Sequence, residues 1–241
     1  EYGDEDNYAK TKDILKHIFP DVYNYLNPFN YAKLPEGDDS NGLFKNYFQQ
    51  YTYQKLINKL FPSFLEIVED QAKKRLYNRY LSTRDALLRP LINQQNFQVF
   101  FLDALGVEFL NFIEEECSKL NLKCHTAVCR SNLPTLTKYN TEFKAFFPNR
   151  LKDIKKLDEI KHEPILSYSY EKKDSSIYLL RELQIIREVL EEIKNTLNHD
   201  EYEKVYLISD HGASRLAVIA NKEPKWEMTA QGEHAGRCCP S

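Results

Sequence analysis

The stretch KVYLISDHGASRLAVI, Lys204 to Ile219, decides how this chain folds, because an apolar run ends there in an acid, a histidine and a glycine. The run from Val205 to Ile208 is apolar throughout, which is typical of a short strand covered on both faces of a parallel sheet. Asp210, His211 and Gly212 follow its carboxyl end, the edge at which ligands bind in open α/β sheets. An Asp-His pair in that position has two common explanations, a metal site or a simple turn.

Strands and helices alternate over the second part of the chain. The predicted strands are FQVFFLDALG (97–106), KCHTAVC (123–129), EPILSYSY (163–170) and KVYLISD (204–210). The predicted helices are VEFLNFIEEECSKL (107–120) and SSIYLLRELQIIREVLEEIKNTL (175–197), and RSNLPTLTKYNTEFKAFF (130–147) is predicted to be a loop that enters a helix. This order predicts an α/β fold with a doubly wound, mostly parallel sheet.

The first part of the chain, residues 1–95, carries no convincing strand. It repeats apolar residues at spacings of three and four in AKTKDILKHIFPDVYNYL (9–26) and again in residues 53–92, which indicates amphipathic helices. The stretch between them, LPEGDDSNG (34–42), is rich in turn formers and predicts a loop. We therefore expect a helical segment over residues 1–95 and an α/β domain over residues 96–241.

Composition limits the possible partners. The 241 residues carry a net charge of −3, so charge does not indicate a nucleic-acid partner, although a local basic groove is compatible with it. No apolar run approaches the ~18 residues of a membrane span, and we expect no membrane partner.

The five cysteines form no CxxC pair, which argues against a disulfide framework and favours a reducing cytoplasm. Since Glu1 is not an initiator and Ser241 ends the chain abruptly, we expect a piece of a longer protein, truncated at its C-terminus.

Polar residues at the ends of the predicted strands suggest a metal site. Candidate ligands and hydroxyls are Asp103, Asp174, Asp210, His211, a late His234 in GEHAGRCCP (232–240), and the loop residues Thr135 and Thr137. Strand ends of a parallel sheet converge on one crevice, and carboxylates with imidazoles suit zinc or another divalent transition metal. A hydroxyl beside such an ion is suited to phosphoryl transfer. Each residue also has an ordinary explanation: Asp103 as a helix cap, Thr137 as a loop hydroxyl, His234 as a surface histidine.

The order of these parts resembles the alkaline phosphatase superfamily, which includes phosphopentomutases, nucleotide pyrophosphatase/phosphodiesterases and sulfatases. More narrowly, SDHGASRL (209–216) followed by GEHAGRCCP (232–240) is similar to the PglZ domain of bacteriophage-exclusion (BREX-type) defence systems. The resemblance covers about residues 97–240. It implies an alkaline phosphatase-like sheet and a metal-dependent phosphatase or phosphodiesterase that uses one or two divalent ions, zinc or manganese. Its implied partners are a phosphoester substrate and other phage-defence proteins.

The resemblance also assigns roles to single residues. Asp103, Asp210, His211, His234 and Asp174 are implied to bind metal, and Thr137 to be the nucleophile with Thr135 as the fallback. Independently of the resemblance, the guanidinium groups of Arg237, Arg130 and Arg215 are candidates to bind phosphate, and Arg237 is favoured. One position departs from the family pattern, because Tyr178 stands where a histidine is expected four residues after Asp174. A phenol must lose a proton before it can bind a divalent ion, so this half-site is weak, completed by another residue, or lost. Two alternatives follow: an inactive metal- or nucleotide-binding scaffold in a defence complex, and a helical segment that itself docks partners or binds single strands.

Overall fold

The computed structural model describes residues 8–31, 38–133, 135–162, 177–199 and 202–214, together with residues 216 and 219. Three strands of this part of the chain form one open sheet: β1 (Phe97–Leu102), β2 (Leu151–Ile154) and β3 (Lys204–Ile208). All pairings are parallel, and the order across the sheet is β2-β1-β3. The chain is therefore a mixed α/β protein with a parallel sheet, as the alternation of strands and helices predicts.

Helices precede the sheet and connect its strands. Before β1 lie α1 (Tyr8–Ile18), α2 (Pro20–Leu26), α3 (Asp38–Ile57), α4 (Pro62–Lys74), α5 (Tyr77–Tyr80) and α6 (Arg84–Leu88). Between the strands lie α7 (Leu110–Lys119), α8 (Lys156–His162) and α9 (Ile177–Asn198). The helical character expected for the first part of the chain is confirmed, since its described residues contribute to a strand pairing only through an isolated bridge at Thr83. No helix among the described residues combines the length and the apolar character needed to cross a membrane.

The central strand β1 is buried because it has a neighbour on each edge and a packed layer on each face. Phe100 and Leu102 point into one hydrophobic cluster, and Val99 and Phe101 point into the other, as the two-residue period of a strand requires. All four side chains are at most 1% exposed. The apolar run FQVFFL is therefore explained by coverage on both faces.

The helical segment shares its core with the sheet. The larger cluster contains α2 residues Val22, Tyr25 and Leu26 together with residues of β1, α7 and α9. The side chain of Asn111 on α7 also donates a hydrogen bond to the backbone carbonyl of Asn24, at 2.8 Å. Helix α2 thus packs directly on the layer that covers one face of the sheet.

Several sequence predictions need correction or lie outside the described residues. The prediction of a strand over residues 123–129 is wrong: they form no strand, and the next residue, Arg130, pairs with Thr83 in an isolated bridge. Residues 130–147 form two 3₁₀ turns, Thr137–Tyr139 and Glu142–Phe146, in place of a helix.

The strand β2 was not predicted, because it has four residues with Lys152 and Asp153 exposed in the middle. The loop predicted over residues 34–42 is wrong from Asp38 onward, because α3 begins there, and residues 34–37 lie outside the described residues. The predicted strand 163–170 lies outside the described residues.

We predict that Phe101→Ala lowers the free energy of unfolding by about 3–5 kcal/mol, because it leaves a cavity in a fully buried layer. The Phe101 ring packs against the ring of Phe143, with a centroid separation of 5.7 Å. Chemical denaturation monitored by circular dichroism measures the change. The matched control is Leu180→Ala, since Leu180 on α9 is 46% exposed and its removal should change stability by less than about 0.5 kcal/mol. Equal losses in the two variants would contradict the assignment of β1 as the buried centre.

Candidate metal centre

Two carboxylates meet at the carboxyl ends of β1 and β3. Phe101 of β1 lies opposite Ile208 of β3 in the register of this parallel pair. Asp103 and Asp210 each follow two residues later, so they reach neighbouring positions on the same edge of the sheet. Asp103 is 5% exposed and Asp210 is 1% exposed, a degree of burial that is unusual for carboxylates without a compensating partner.

His211 joins these carboxylates in what we call the Asp-Asp-His group. One candidate ligand atom from each of Asp103, Asp210 and His211 lies within 4.8 Å of the others, and Nε2 of His211 is 3.2 Å from Oδ2 of Asp210. Nδ1 of the same ring is 3.1 Å from the carbonyl oxygen of Gly212. A proton on Nδ1 donates to that carbonyl and leaves the lone pair of Nε2 facing the carboxylates, as in many histidines that bind metals.

The electrostatics of the group favour a bound cation. Burial and, after it, the charge of Asp210 raise the pKa of Asp103 to about 6, with a further contribution from Asp158 against a lowering effect of His211. Oδ1 of Asp210 accepts hydrogen bonds from the backbone N–H groups of Ala104, at 3.2 Å, and His211, at 2.9 Å. Oδ2 of Asp210 is buried without a hydrogen-bond partner, and among the described residues no Lys or Arg pairs with either carboxylate. The two oxygens and one nitrogen fit zinc or manganese.

Thr137 is the hydroxyl residue that reaches this group. Its Oγ1 lies 3.0 Å from Nε2 of His211 and 3.4 Å from Oδ1 of Asp103. Thr137 begins the 3₁₀ turn Thr137–Tyr139 and is half-buried, whereas Thr135, the other hydroxyl residue predicted for the site, is exposed. Among the described residues, the hydroxyl in contact with Asp103 and His211 is thus that of Thr137.

The backbone after each strand is shaped for this convergence. Ala104 has a φ of 60°, a left-handed conformation that a residue with a side chain adopts at some cost. Leu105 donates its backbone N–H to Oγ of Ser209 at 3.0 Å, which ties the two strand ends together. A Cβ on Gly212 would lie 2.9 Å from the Cα of Gly106, so glycine is required where these two backbones approach. Asp103 does not cap a helix, since Gly106 precedes the next turn.

Three residues that sequence reasoning missed hold the loop of Thr137 against the strand ends. The backbone carbonyl of Asp210 accepts hydrogen bonds from Arg84, at 2.8 Å, and from Ser131, at 2.7 Å. Asn140 is fully buried and binds both Arg84 and the loop backbone. No pattern in the sequence distinguishes these residues, because each is a single polar residue whose partners are distant in sequence or lie in an irregular loop.

The remaining predicted site residues are not brought to this group by the described part of the chain. Asp174, His234 and Arg237 lie outside the described residues. Tyr178, at the position where the resemblance expects a histidine, is 2% exposed in the core, and its hydroxyl donates to the backbone carbonyl of Lys55 at 3.3 Å. The Asp-Asp-His group with Thr137 is therefore the part of the predicted site that the structure assembles.

We predict that Asp103→Asn makes the metal-free protein more stable at pH 7 while weakening metal binding. The folded-state pKa of Asp103 is raised to about 6, so above pH 6 its charge costs free energy that is absent in the unfolded chain. The neutral amide removes this cost, on the order of 1–3 kcal/mol. Chemical denaturation in the presence of a chelator measures the gain, and zinc titration measures the loss of binding.

The matched control for this variant is Asp85→Asn, whose carboxylate is exposed on α6 and pairs with Arg89 at 3.6 Å. That substitution should leave zinc binding unchanged and alter stability by less than about 0.5 kcal/mol. An Asp103→Asn protein that loses stability in chelator, or that binds zinc as tightly as the parent, would contradict the account of two opposed buried carboxylates.

Comparison with known proteins does not change this description. No family model, curated protein sequence or solved structure matches the chain. The resemblance to the alkaline phosphatase superfamily therefore rests on the residues quoted for it.

Proposed function

We propose that this chain is a metal-dependent phosphoric ester hydrolase in which the Asp-Asp-His group holds a zinc or manganese ion and Thr137 is the nucleophile. The observation that carries the proposal is the position of Oγ1 of Thr137, which lies 3.0 Å from Nε2 of His211 and 3.4 Å from Oδ1 of Asp103. A free alcohol is almost entirely protonated at neutral pH, so a nucleophilic hydroxyl needs groups that promote loss of its proton. A bound divalent ion supplies the Lewis acidity that makes this loss favourable.

The residues of the chain account for the two half-reactions. Oγ1 of Thr137 attacks phosphorus in line as the ester bond to the leaving alcohol breaks, and the hydroxyl proton passes to solvent. Because in-line attack places the leaving oxygen on the side of phosphorus away from Thr137, that oxygen takes its proton from water. Water then hydrolyses the phosphothreonine, which releases the phosphate product and restores the Thr137 hydroxyl. Each half-reaction balances in atoms and charge.

The narrower parts of the proposal come from the resemblance. An alkaline phosphatase-like fold, the PglZ type and a role in phage defence are supported by SDHGASRL (209–216) and GEHAGRCCP (232–240). A second ion would draw on Asp174 and His234, whereas the mechanism above needs only the ion of the Asp-Asp-His group. The proposal therefore requires one ion and is compatible with two.

We expect Thr137→Ala to lower turnover of an aryl phosphodiester on the order of 10³-fold or more, because it removes the attacking oxygen. Zinc content, measured on the same preparation, should stay at the parent level, since Asp103, Asp210 and His211 remain to hold the ion. Thr137→Ser should keep partial activity, because it retains the hydroxyl and loses only a methyl group.

Two further variants make this experiment decisive. Thr135→Ala is the matched control and should leave turnover unchanged, since Thr135 is an exposed threonine two residues away. Asp210→Ala should abolish both zinc binding and turnover. If Thr137→Ala hydrolyses substrate at the parent rate and Thr135→Ala does not, Thr135 is the nucleophile. A parent protein that binds zinc or manganese and hydrolyses no phosphoester would favour the scaffold alternative.

A further inference from the structure

Arg84 is a buried cation that the proposed reaction does not use. It is 5% exposed, although it comes from α6 in the helical segment. Its two terminal nitrogens donate to the backbone carbonyl of Asp210, at 2.8 Å, and to Oδ1 of Asn140, at 3.2 Å. The guanidinium stacks over the ring of Phe143 at 4.7 Å, and among the described residues no carboxylate pairs with it. A buried arginine whose donors reach only neutral oxygens is held for geometry more than for charge pairing.

Asn140 links Arg84 to the loop that carries Thr137. Its Oδ1 accepts the backbone N–H of Asn132, at 2.7 Å, in addition to Arg84, and its Nδ2 donates to the carbonyls of Asn132 and Leu136. The backbone N–H of Asn140 in turn donates to the carbonyl of Thr137 at 3.0 Å. One fully buried residue therefore bonds through its side chain to the loop that precedes Thr137, and through its backbone to Thr137 itself.

Backbone contacts hold the main chain next to Arg84 against the loop that carries Thr137. Thr83 pairs with Arg130 in an isolated parallel bridge, and the backbone N–H of Arg130 donates to the carbonyl of Ser82 at 3.0 Å. Ser131, the next residue, donates its hydroxyl to the carbonyl of Asp210. Arg84 is therefore anchored at its own backbone and spans the distance between a metal-ligand residue and the loop of the nucleophile.

We infer that Arg84 is a positioning residue, which sets Thr137 relative to the Asp-Asp-His group through Asn140 and the Asp210 carbonyl. This inference rests on the proposed function and extends it, since it makes α6 part of the catalytic unit. Arg84 does not contact the ligand atoms of Asp103, Asp210 or His211 in any described hydrogen bond. Its loss should therefore misplace the nucleophile and leave the ligands intact.

The test compares parent, Arg84→Gln and Asn140→Ala in the intact chain, with zinc and an aryl phosphodiester. We expect kcat to fall on the order of 10²-fold, as for a misplaced reacting group, while KM and the zinc Kd change by less than about threefold. The kcat of the double variant should be no lower than that of the more damaging single variant, because both substitutions break the same link between Arg84 and Asn140. Arg84→Lys keeps the charge but cannot make the two-pronged contact, so it replaces Arg84→Gln if that variant does not fold.

A second measurement does not depend on turnover. In metal-free protein, the methyl signal of Thr137 in a nuclear magnetic resonance spectrum should shift in Arg84→Gln. It should stay in place in the matched control Arg89→Gln, since Arg89 lies just after α6 and its side chain is 66% exposed.

Different outcomes test the positioning role of Arg84 and the proposed phosphoric ester hydrolysis separately. A parent protein that hydrolyses no phosphoester overturns the proposed function. An unchanged Thr137 methyl signal in Arg84→Gln overturns the positioning role. An active parent whose Arg84→Gln variant keeps the parental kcat also overturns it. A loss of zinc affinity as large as the loss of kcat overturns it too, because Arg84 would then act on the ligands.

Discussion

The parallel pairing of β1 with β3 is the constraint on which the candidate site depends. Because Phe101 lies opposite Ile208, the next two residues of each strand carry Asp103 and Asp210 to adjacent, buried positions. Two such carboxylates repel each other and lose hydration, which raises the pKa of Asp103 to about 6. The sheet thus supplies stability that offsets a locally unfavourable arrangement, and a group of this kind is typical of functional sites.

A second group of buried charges, formed by Lys55, Lys161 and Glu182, contacts the backbone that follows β1. Lys161 donates to the carbonyl of Ala104 at 3.0 Å, and the N–H of Ala104 donates to Oδ1 of Asp210, so a single residue, Ala104, connects the two groups. Glu182 lies 2.9 Å from Nζ of Lys55 and 3.7 Å from that of Lys161. Burial alone would lower the pKa of Lys55, but Glu182 with its acidic and phenolic neighbours outweighs this and raises it, so Lys55 stays charged.

This buried charge group explains why the helical segment and the sheet share a core. Lys55 belongs to α3, Lys161 to α8 and Glu182 to α9, and the exposure of each is at most 4%. Removing Glu182 would take the nearest carboxylate away from two buried lysines, and the loss of one partner costs about 3–5 kcal/mol in comparable buried pairs. A replacement of the whole group by apolar residues could retain stability, but it would remove the donor that fixes Ala104 in its left-handed conformation.

The sequence pattern predicts the polar residues at the strand ends, but it does not predict the residues that hold the loop of Thr137 against them. Asp103, Asp210 and His211 follow apolar runs with the period and length of buried strands, and parallel topology then requires these ends to meet. Thr137 was singled out by a resemblance, and its contacts come from the structure. Arg84 could not be predicted, because a polar residue in a helical pattern normally faces solvent and its partner lies 126 residues away. The strand β2 was missed for a related reason, since four residues with two charges carry too little pattern.

The site joins two kinds of support that differ in rigidity. The metal-ligand candidates follow strands whose backbone hydrogen bonds form a ladder, so their positions depend little on any one side chain. Thr137 begins a 3₁₀ turn in a loop, and side-chain bonds from Asn140, Arg84 and Ser131 hold that loop. Loops of this kind open locally at lower free energy than a central strand. Local opening should therefore displace Thr137 before it displaces the Asp-Asp-His group, and the helical segment, through Arg84, is the part of the fold that opposes it.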